Sequence, residues 1–312
     1  MTDDLQFQEL KLSMPTLTLL HKHQLLGQGT LSLLQLAFEH GGYIAGGFAA
    51  LVARHVVMLT SNGDFYASIM RHTNGPIKSL MTEFKIHGDI DVWFPSEPCL
   101  NHFLNDVRRS IVDLSVAPTK TGSAIEHIVD GDVRVQVVTR WLRPVQEQLA
   151  HFDIYNAMVG LTNDTLTVPD QWEALERANM LHVSSWASCW TVGRVLKYIN
   201  SKGYTALTPS TAMHMYDEAC KALEQVKPLR AEIEHARTMT RKAPPAHINI
   251  QLQRNPLLRH FVACNKGKDQ YVLKPLLASL TAEQLLTLSM LSTASPDYDH
   301  AMKEIHRRMP VG

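Results

Sequence analysis

The stretch YIAGGFAALVAR at residues 43–54, taken with DIDVWF at residues 89–94, decides the fold. In the first segment a short apolar run leads through Gly46 and Gly47 into a sequence that predicts a helix over residues 48–58. A glycine turn between a strand and a helix lets backbone N–H groups approach an anion at the helix N-terminus, where the helix dipole also favours negative charge. Gly46 and Gly47 are therefore candidate phosphate-binding residues.

The second segment predicts a strand over residues 83–94 whose two faces differ in character. Asp89, Asp91 and Trp93 alternate with three apolar residues, so the two aspartates point to the same side of a sheet. Carboxylate oxygens are the ligands that hard cations prefer, and two of them on one face can bind one cation together. The spacing of Asp89 and Asp91 indicates a candidate metal site.

A third carboxylate follows in FDIYNAMVGL at residues 152–161, which predicts a mostly buried strand. An unpaired carboxylate is costly to bury, so Asp153 is expected to face a metal or a basic partner. With Asp89 and Asp91 it would complete a site for two Mg²⁺ ions about 3.5–4 Å apart, the geometry of in-line displacement at phosphorus. The alternative for Asp153 is a structural ion pair or a helix cap.

This order of motifs resembles the DNA polymerase beta-type nucleotidyltransferase superfamily, and in particular nucleotidyltransferase-like proteins of large phages. The segments that carry the resemblance lie within about residues 43–205 and are AGGFAALVAR, DIDVWF, FDIYNAMVGL and RVLKYINSKGY. The resemblance implies an α+β fold, with a nucleotidyltransferase-type mixed sheet and flanking helices followed by a mainly helical C-terminal domain. The boundaries expected are residues 1–169 for the catalytic domain and 170–312 for a domain that binds nucleotide or acceptor.

The resemblance also implies roles for the three acidic residues. Asp89 and Asp91 would bind both metal ions, which are Mg²⁺ or alternatively Mn²⁺. Asp153 would share the metal nearer the acceptor and help to remove the proton of the acceptor hydroxyl. All three would then be catalytic residues as well as metal ligands.

The same resemblance assigns four residues to the nucleotide. Gly46 and Gly47 would hold its triphosphate, and Arg194 and Lys197 stand where a basic helix would face the phosphates. The two basic residues are three positions apart, so on a helix they share one face. An ordinary solvated basic face is the alternative.

One departure from the family pattern concerns the distance between the glycines and the aspartates. About forty residues separate Gly47 from Asp89, which is longer than is usual in the superfamily. A helix inserted at residues 65–71 would accommodate the difference. The pair Gly41–Gly42 is a rival for the phosphate-binding glycines, although it precedes the predicted strand.

Other features of the sequence exclude several classes of protein. There is no GxxxxGK[ST], GxGxxG or GxSxG motif, which argues against P-loop NTPases, dinucleotide-binding domains and α/β-hydrolases. The four cysteines include no CxxC pair, and their wide spacing suits a reducing compartment. The longest apolar run, residues 43–53, is about half of a membrane span. We expect a soluble cytoplasmic protein without a membrane partner.

Charge is distributed unevenly along a chain that is neutral as a whole, with 30 basic and 30 acidic residues. Residues 1–176 carry 12 basic and 20 acidic side chains, whereas residues 177–274 carry 15 basic and 6 acidic ones. Such asymmetry points to an anionic partner. A polycationic, histone-like protein is excluded by the overall balance.

The sequence therefore predicts an enzyme that moves NMP from an NTP such as ATP to a hydroxyl acceptor and releases pyrophosphate. RNA or tRNA is the favoured acceptor, because the basic segment could follow a nucleic-acid backbone. A small molecule and a protein hydroxyl remain alternatives. The competing hypothesis is a catalytically silent nucleotidyltransferase fold that binds nucleotide or a partner protein.

Overall fold

An eight-stranded mixed sheet organises the first of the two compact units of the chain, Met1–Arg177 and Ala178–Gly312. The computed structural model describes residues 5–12, 15–22, 26–61, 89–109, 119–120, 122–130, 133–186, 190–240, 246–255, 257–258, 276, 279–281, 283–284 and 287–288. The predicted helix at residues 65–71 and the first half of the predicted strand at residues 83–94 lie outside the described residues.

The strands of the first unit are β1 (Phe7–Lys11), β2 (Tyr43–Ala45), β3 (Asp89–Trp93), β4 (Thr119–Lys120), β5 (Ala124–Val129), β6 (Val133–Val138), β7 (Gly160–Leu161) and β8 (Thr165–Pro169). Its helices are α1 (Thr16–Lys22), α2 (Gln28–Glu39), α3 (Gly47–Ser61), α4 (Glu97–Arg109), α5 (Val145–Leu149) and α6 (Trp172–Arg177).

The strand order in the sheet is β1-β8-β7-β2-β3-β6-β5-β4. In this sheet β3 and β6 pair in parallel, and every other neighbouring pair of described strands is antiparallel. A mixed sheet with flanking helices confirms the predicted α+β class. The candidate aspartates lie on β3, in the middle of the sheet.

The two faces of the central strands separate core from polar residues. Ile90 and Val92 are at most 1% exposed and belong to the hydrophobic core, as do Val135 and Val137 of β6. The residues between them point the other way, because side chains alternate along a strand. Asp89 and Asp91 therefore share a face, as the alternation in the sequence predicted.

Helix α2 is closed at its start by a carboxylate from a distant turn. Asp130, between β5 and β6, accepts hydrogen bonds from the N–H groups of Gly29 (3.0 Å) and Thr30 (2.8 Å) and from the hydroxyl of Thr30 (2.6 Å). A Cβ at Gly27 would lie 2.4 Å from the Asp130 carboxyl carbon, so only glycine permits this approach. The carboxylate of Asp130 therefore fixes the start of α2 at Gln28.

The second unit is mainly helical, with α7 (Thr191–Lys202), α8 (Pro209–Thr240) and α9 (Ala246–Arg254). It also contains a short parallel pair that the sequence analysis did not predict, β9 (Met180–Leu181) and β10 (Ala206–Leu207). None of the helices formed by the described residues combines the length and apolar character needed to cross a membrane.

The predicted strand at residues 152–161 is wrong over most of its length. Asp153 lies in a bend, and a 3₁₀ turn follows at Tyr155–Ala157. The N–H groups of Ala157 and Met158 donate to carbonyls three residues earlier, so they are not available to a neighbouring strand. Only Gly160–Leu161 joins the sheet. A short buried apolar run has the same composition in a strand and in a buried turn, which is why its pattern misled.

Candidate active site

Gly46 forms the turn between β2 and α3. Its φ of +88° lies in the left-handed region that side chains rarely adopt. The N–H of Gly46 donates to the carbonyl of Val159 (3.1 Å), and its own carbonyl accepts the N–H of Ala50 (2.9 Å), which begins the hydrogen bonding of α3. The strand, glycine turn and helix predicted from the sequence are confirmed, and Gly47 is the first residue of the helix.

The turn at Gly46 lies beside an aspartate of the central strand. A Cβ built on Gly46 would be 3.9 Å from Oδ2 of Asp91 and 3.5 Å from Cε2 of Phe152. The structure therefore brings together the N-terminus of α3, the Asp91 carboxylate and the segment that carries Asp153. A helix N-terminus attracts anions, and a carboxylate attracts cations, so the two can hold the phosphate and the metal of a metal–nucleotide pair side by side.

The rival glycines serve a different purpose. Gly41 (φ +74°) and Gly42 follow the last turn of α2, and their N–H groups donate to the carbonyls of Phe38 (3.0 Å) and Ala37 (2.8 Å). This pair of bonds is the Schellman arrangement that ends a helix. Gly41–Gly42 therefore satisfies the carbonyl end of α2, which is the negative end of the helix and unsuited to phosphate.

Asp89 and Asp91 have polar neighbours on the parallel strand β6. Asp89 is exposed and pairs with Arg134, and Asp91 is half-buried and pairs with Gln136. Paired residues of adjacent strands project to the same face, so a guanidinium and an amide flank the two carboxylates. Sequence reasoning missed Arg134 and Gln136. Their alternation within VRVQVV marked them as one polar face, but only the pairing of β6 with β3 shows which face it joins.

Asp153 is buried, with 8% of its surface exposed, and directly follows Phe152. Within the described residues, no three His, Cys, Asp or Glu side chains come close enough together to form a metal-binding group. The predicted grouping of Asp153 with Asp89 and Asp91 therefore stays a prediction.

The donor set of β3 nevertheless fits Mg²⁺. This ion keeps several waters and is commonly held by one or two carboxylates together with substrate phosphates, without a full cage of protein ligands. Asp89 and Asp91 supply two carboxylates on one strand face, and the turn at Gly46 places a helix N-terminus against one of them. Two protein carboxylates and a triphosphate complete such a site.

Trp93 continues the aspartate face towards the end of β3. Its ring lies 5.9 Å from that of Phe152, tilted by 50°. The indole N–H is buried and has no hydrogen-bond acceptor among the described residues. A buried donor without a partner is costly, so this N–H is available to an acceptor atom on a ligand or a water molecule.

Two other residues of the 152–161 segment belong to the packing of α6 and α3. The side-chain amide of Asn156 donates to Glu176 (2.8 Å), whose other oxygen lies 2.7 Å from Nε of Arg54 on α3. The hydroxyl of Tyr155 accepts the N–H of Gln171 (3.3 Å), and burial raises the pKa of this tyrosine. Through Arg54, the contact between Asn156 and Glu176 joins the 152–161 segment and α6 to α3.

The predicted phosphate-facing cations lie in the second unit. Arg194 and Lys197 are exposed on one side of α7, and Val195 and Ile199 are buried on the other. The helix and the shared face are confirmed. The orientation of Arg194 and Lys197 towards a nucleotide stays a prediction.

Comparisons with known proteins give similar solved structures, among them two CCA-adding enzymes. No protein-family model matches the chain, and no curated protein matches it significantly. A CCA-adding enzyme in complex with CTP is similar over 96% of this chain and 85% of its own, at 11% identity and a TM-score of 0.41. The Thermotoga maritima CCA-adding enzyme complexed with tRNA is similar over 98% of this chain and 70% of its own, at 14% identity and a TM-score of 0.45. With both TM-scores below 0.5, a functional assignment rests on the geometry around Gly46.

Proposed function

We propose that this protein is a metal-dependent nucleotidyltransferase that moves NMP from an NTP to a hydroxyl acceptor and releases pyrophosphate. One observation carries the proposal. The left-handed glycine turn that starts α3 lies against Asp91, and Asp91 shares its strand face with Asp89.

Each part of the site has a defined task in such a reaction. The N-terminus of α3 binds the triphosphate, since backbone N–H groups and the helix dipole favour anions there. Asp89 and Asp91 would hold Mg²⁺, which when bound neutralises charge on the phosphates and aligns the acceptor with the leaving group. Most of the rate enhancement then comes from positioning and from preorganised charge.

The role proposed for Asp153 is to accept the proton of the acceptor hydroxyl, as the family resemblance implies. Its support is the position of Phe152, the preceding residue, which contacts the Gly46 turn. The role proposed for Arg194 and Lys197 is to bind the nucleotide phosphates, as the family resemblance implies.

The acceptor we propose is RNA, with tRNA as one form of it. The support is the charge of residues 177–274, where basic side chains outnumber acidic ones by 15 to 6. Such a segment binds a phosphate backbone without regard to sequence.

The test is transfer of labelled nucleotide. The protein is incubated with each α-labelled NTP, Mg²⁺ or Mn²⁺ and total RNA, and label is followed on RNA, protein and small molecules. We expect label on RNA, lost by roughly 100-fold or more in Asp89→Asn and Asp91→Asn, the scale of losing preorganised charge stabilisation. Glu126→Gln is the matched control, since Glu126 lies on the same sheet face and, among the described residues, accepts a hydrogen bond from Gln136 (3.4 Å). Equal activity in all variants would contradict the proposal.

The alternative is a silent fold that binds nucleotide without transferring it. It is favoured by the fact that no third acidic, histidine or cysteine side chain joins Asp89 and Asp91 among the described residues. Nucleotide binding that persists while no acceptor is labelled with either metal would establish this alternative.

A further inference from the structure

Trp141 is exposed on a strained loop that follows β6. The side chain of this residue is 56% exposed, and its φ of +55° lies in the left-handed region. Both features are unusual for a large aromatic residue, which gains by burial and loses free energy in this backbone conformation. Strain of this kind persists only where the surrounding structure enforces it, and it is concentrated at functional sites.

The protein holds this loop from both sides. The N–H of Thr139 donates to the carbonyl of Ser123 (2.9 Å), and the hydroxyl of the buried Tyr43 donates to the carbonyl of Arg143 (2.8 Å). Leu142 packs against the hydrophobic core. Trp141 is therefore displayed to solvent by a fixed backbone, and its exposure does not come from a loose segment.

The chemistry around Trp141 suits a stacked base. Arg140, the preceding residue, is also exposed, so a cationic side chain is accessible to solvent at the position next to the tryptophan. An aromatic ring with an adjacent cation is the combination with which proteins bind single-stranded nucleic acid, the ring stacking on a base and the cation contacting phosphate. A protein partner would need a broad apolar patch. Among the described residues of the first unit, Leu10 is the only other large apolar side chain that is exposed.

We propose that Trp141 and Arg140 form a binding site for single-stranded RNA, in which one base stacks on the indole and a phosphate contacts the guanidinium. The inference deepens the proposed function, on which it rests for the identity of the RNA as the acceptor. Trp141 follows Gln136, the neighbour of Asp91, by five residues. At about 3.4 Å per residue and 4.8 Å between strands, it lies at most roughly 22 Å from Asp91, a distance that a few nucleotides span.

The experiment measures binding of a short, mixed-sequence single-stranded RNA without NTP or metal, so that it does not depend on catalysis. Trp141→Asn removes the ring and keeps the loop, because asparagine tolerates a left-handed backbone. We expect this variant to bind about 10- to 100-fold more weakly, the loss of one stacked base. Trp141→Phe should recover most of the affinity. Arg140→Gln should flatten the slope of log affinity against log salt by about 0.7.

The controls separate stacking from other causes. Leu10→Ala removes the other large apolar side chain that is exposed among the described residues of the first unit, 38% exposed, and should bind RNA as the wild type does. A duplex of the same sequence should bind more weakly, since its bases are already stacked. Unchanged binding by Trp141→Asn, equal losses in Trp141→Asn and Leu10→Ala, or equal affinity for duplex would each overturn the inference. If RNA binding depends on Trp141 but no label is transferred, the inference stands and the proposed function fails.

Discussion

Two glycine pairs lie five residues apart along the chain, and they do opposite things. Gly41 and Gly46 both have a positive φ, +74° and +88°, and both adjoin a helix. Gly41 ends α2 at its carbonyl end, and the nearest side-chain atoms to its missing Cβ are 4.0 Å away on Cys99 and Pro95. Gly46 precedes α3 at its amide end and lies beside Asp91. Residue type and backbone conformation are shared, so the function proposed for the second turn rests on helix polarity and on the carboxylate beside it.

The largest expected effect is a difference in transfer activity between alanine substitutions in the two turns. Alanine at either position forces a side chain into the left-handed region, which costs about 1–2 kcal/mol of unfolding free energy. Gly46→Ala should in addition shift the phosphate-binding turn and lower kcat/KM for nucleotide transfer by roughly 100-fold, the usual cost of a displacement of about 1 Å. Gly41→Ala should leave kcat/KM within about 2-fold. Urea unfolding and transfer kinetics on both variants make the measurement.

Equal losses of activity in the two variants would show that stability, and not position, controls transfer. Loss in Gly41→Ala alone would restore the rival glycine pair as the phosphate site. Loss in Gly46→Ala alone, with similar unfolding free energies, sharpens the assignment to the start of α3.

The comparison also shows which parts of the site can be predicted from residues that are close together in the sequence. The turn at Gly46 and the alternation of Asp89 and Asp91 were both predicted, because each depends on residues within a few positions of one another. Arg134 and Gln136 were missed because their place beside the aspartates depends on β6 pairing with β3, and the described residues between β3 and β6 form a helix and two other strands. No pattern within either strand encodes that partnership.

Two other elements could not be predicted correctly from the sequence, for the same physical reason. Strand β1 pairs with β8 across more than 150 residues, from Phe7 to Pro169, and its side chains are mostly exposed, so it carries no hydrophobic alternation. The segment around Asp153 is apolar throughout, and such a run does not distinguish a strand from a buried turn. Tertiary contacts decide both cases.

A second prediction concerns the other glycine of the helix-ending pair. A Cβ at Gly42 would lie 2.8 Å from the carbonyl oxygen of Ala37 and 2.9 Å from the ring of Phe94. Gly42→Ala should therefore lower the unfolding free energy by about 1–3 kcal/mol through overpacking. Gly122→Ala is the control, because among the described residues no heavy atom outside Gly122 and its chain neighbours lies within 4 Å of its Cβ position. If Gly42→Ala unfolds at the same urea concentration as the control, the close packing described here is wrong.

A third prediction tests whether the start of α2, like its end, contributes to stability and not to nucleotide binding. Asp130→Ala removes the carboxylate that caps Gly29 and Thr30, and should cost about 0.5–2 kcal/mol of unfolding free energy. Asp130→Asn keeps an acceptor oxygen and the tolerance for its φ of +50°, so it should cost less. Nucleotide binding should be unchanged in both, measured by titration calorimetry. A loss of nucleotide affinity in Asp130→Asn would mean that the start of α2 contributes to the site.

The smallest expected effect is a pH dependence of stability that comes from the apolar face of the sheet, opposite the face that carries the aspartates. His127 of β5 is 2% exposed, and neither ring nitrogen has a hydrogen-bond partner among the described residues. Burial lowers the pKa of His127 below its usual 6.5. The unfolded chain therefore binds a proton that the folded one does not, and stability falls as the pH drops from about 6.5 towards the folded pKa.

Replacing this histidine isolates its contribution from that of other groups. His127→Leu removes two unsatisfied nitrogens, so we expect an unfolding free energy at pH 7.5 equal to or about 1 kcal/mol above that of the wild type. The decline between pH 6.5 and 5 should be shallower in the variant, because that proton uptake is gone, whereas nucleotide binding at pH 7.5 should not change. An unchanged pH slope would show that His127 is solvated or paired in solution. A changed nucleotide affinity would show that the apolar face of the sheet is coupled to the aspartate face, and the division between them would have to be abandoned.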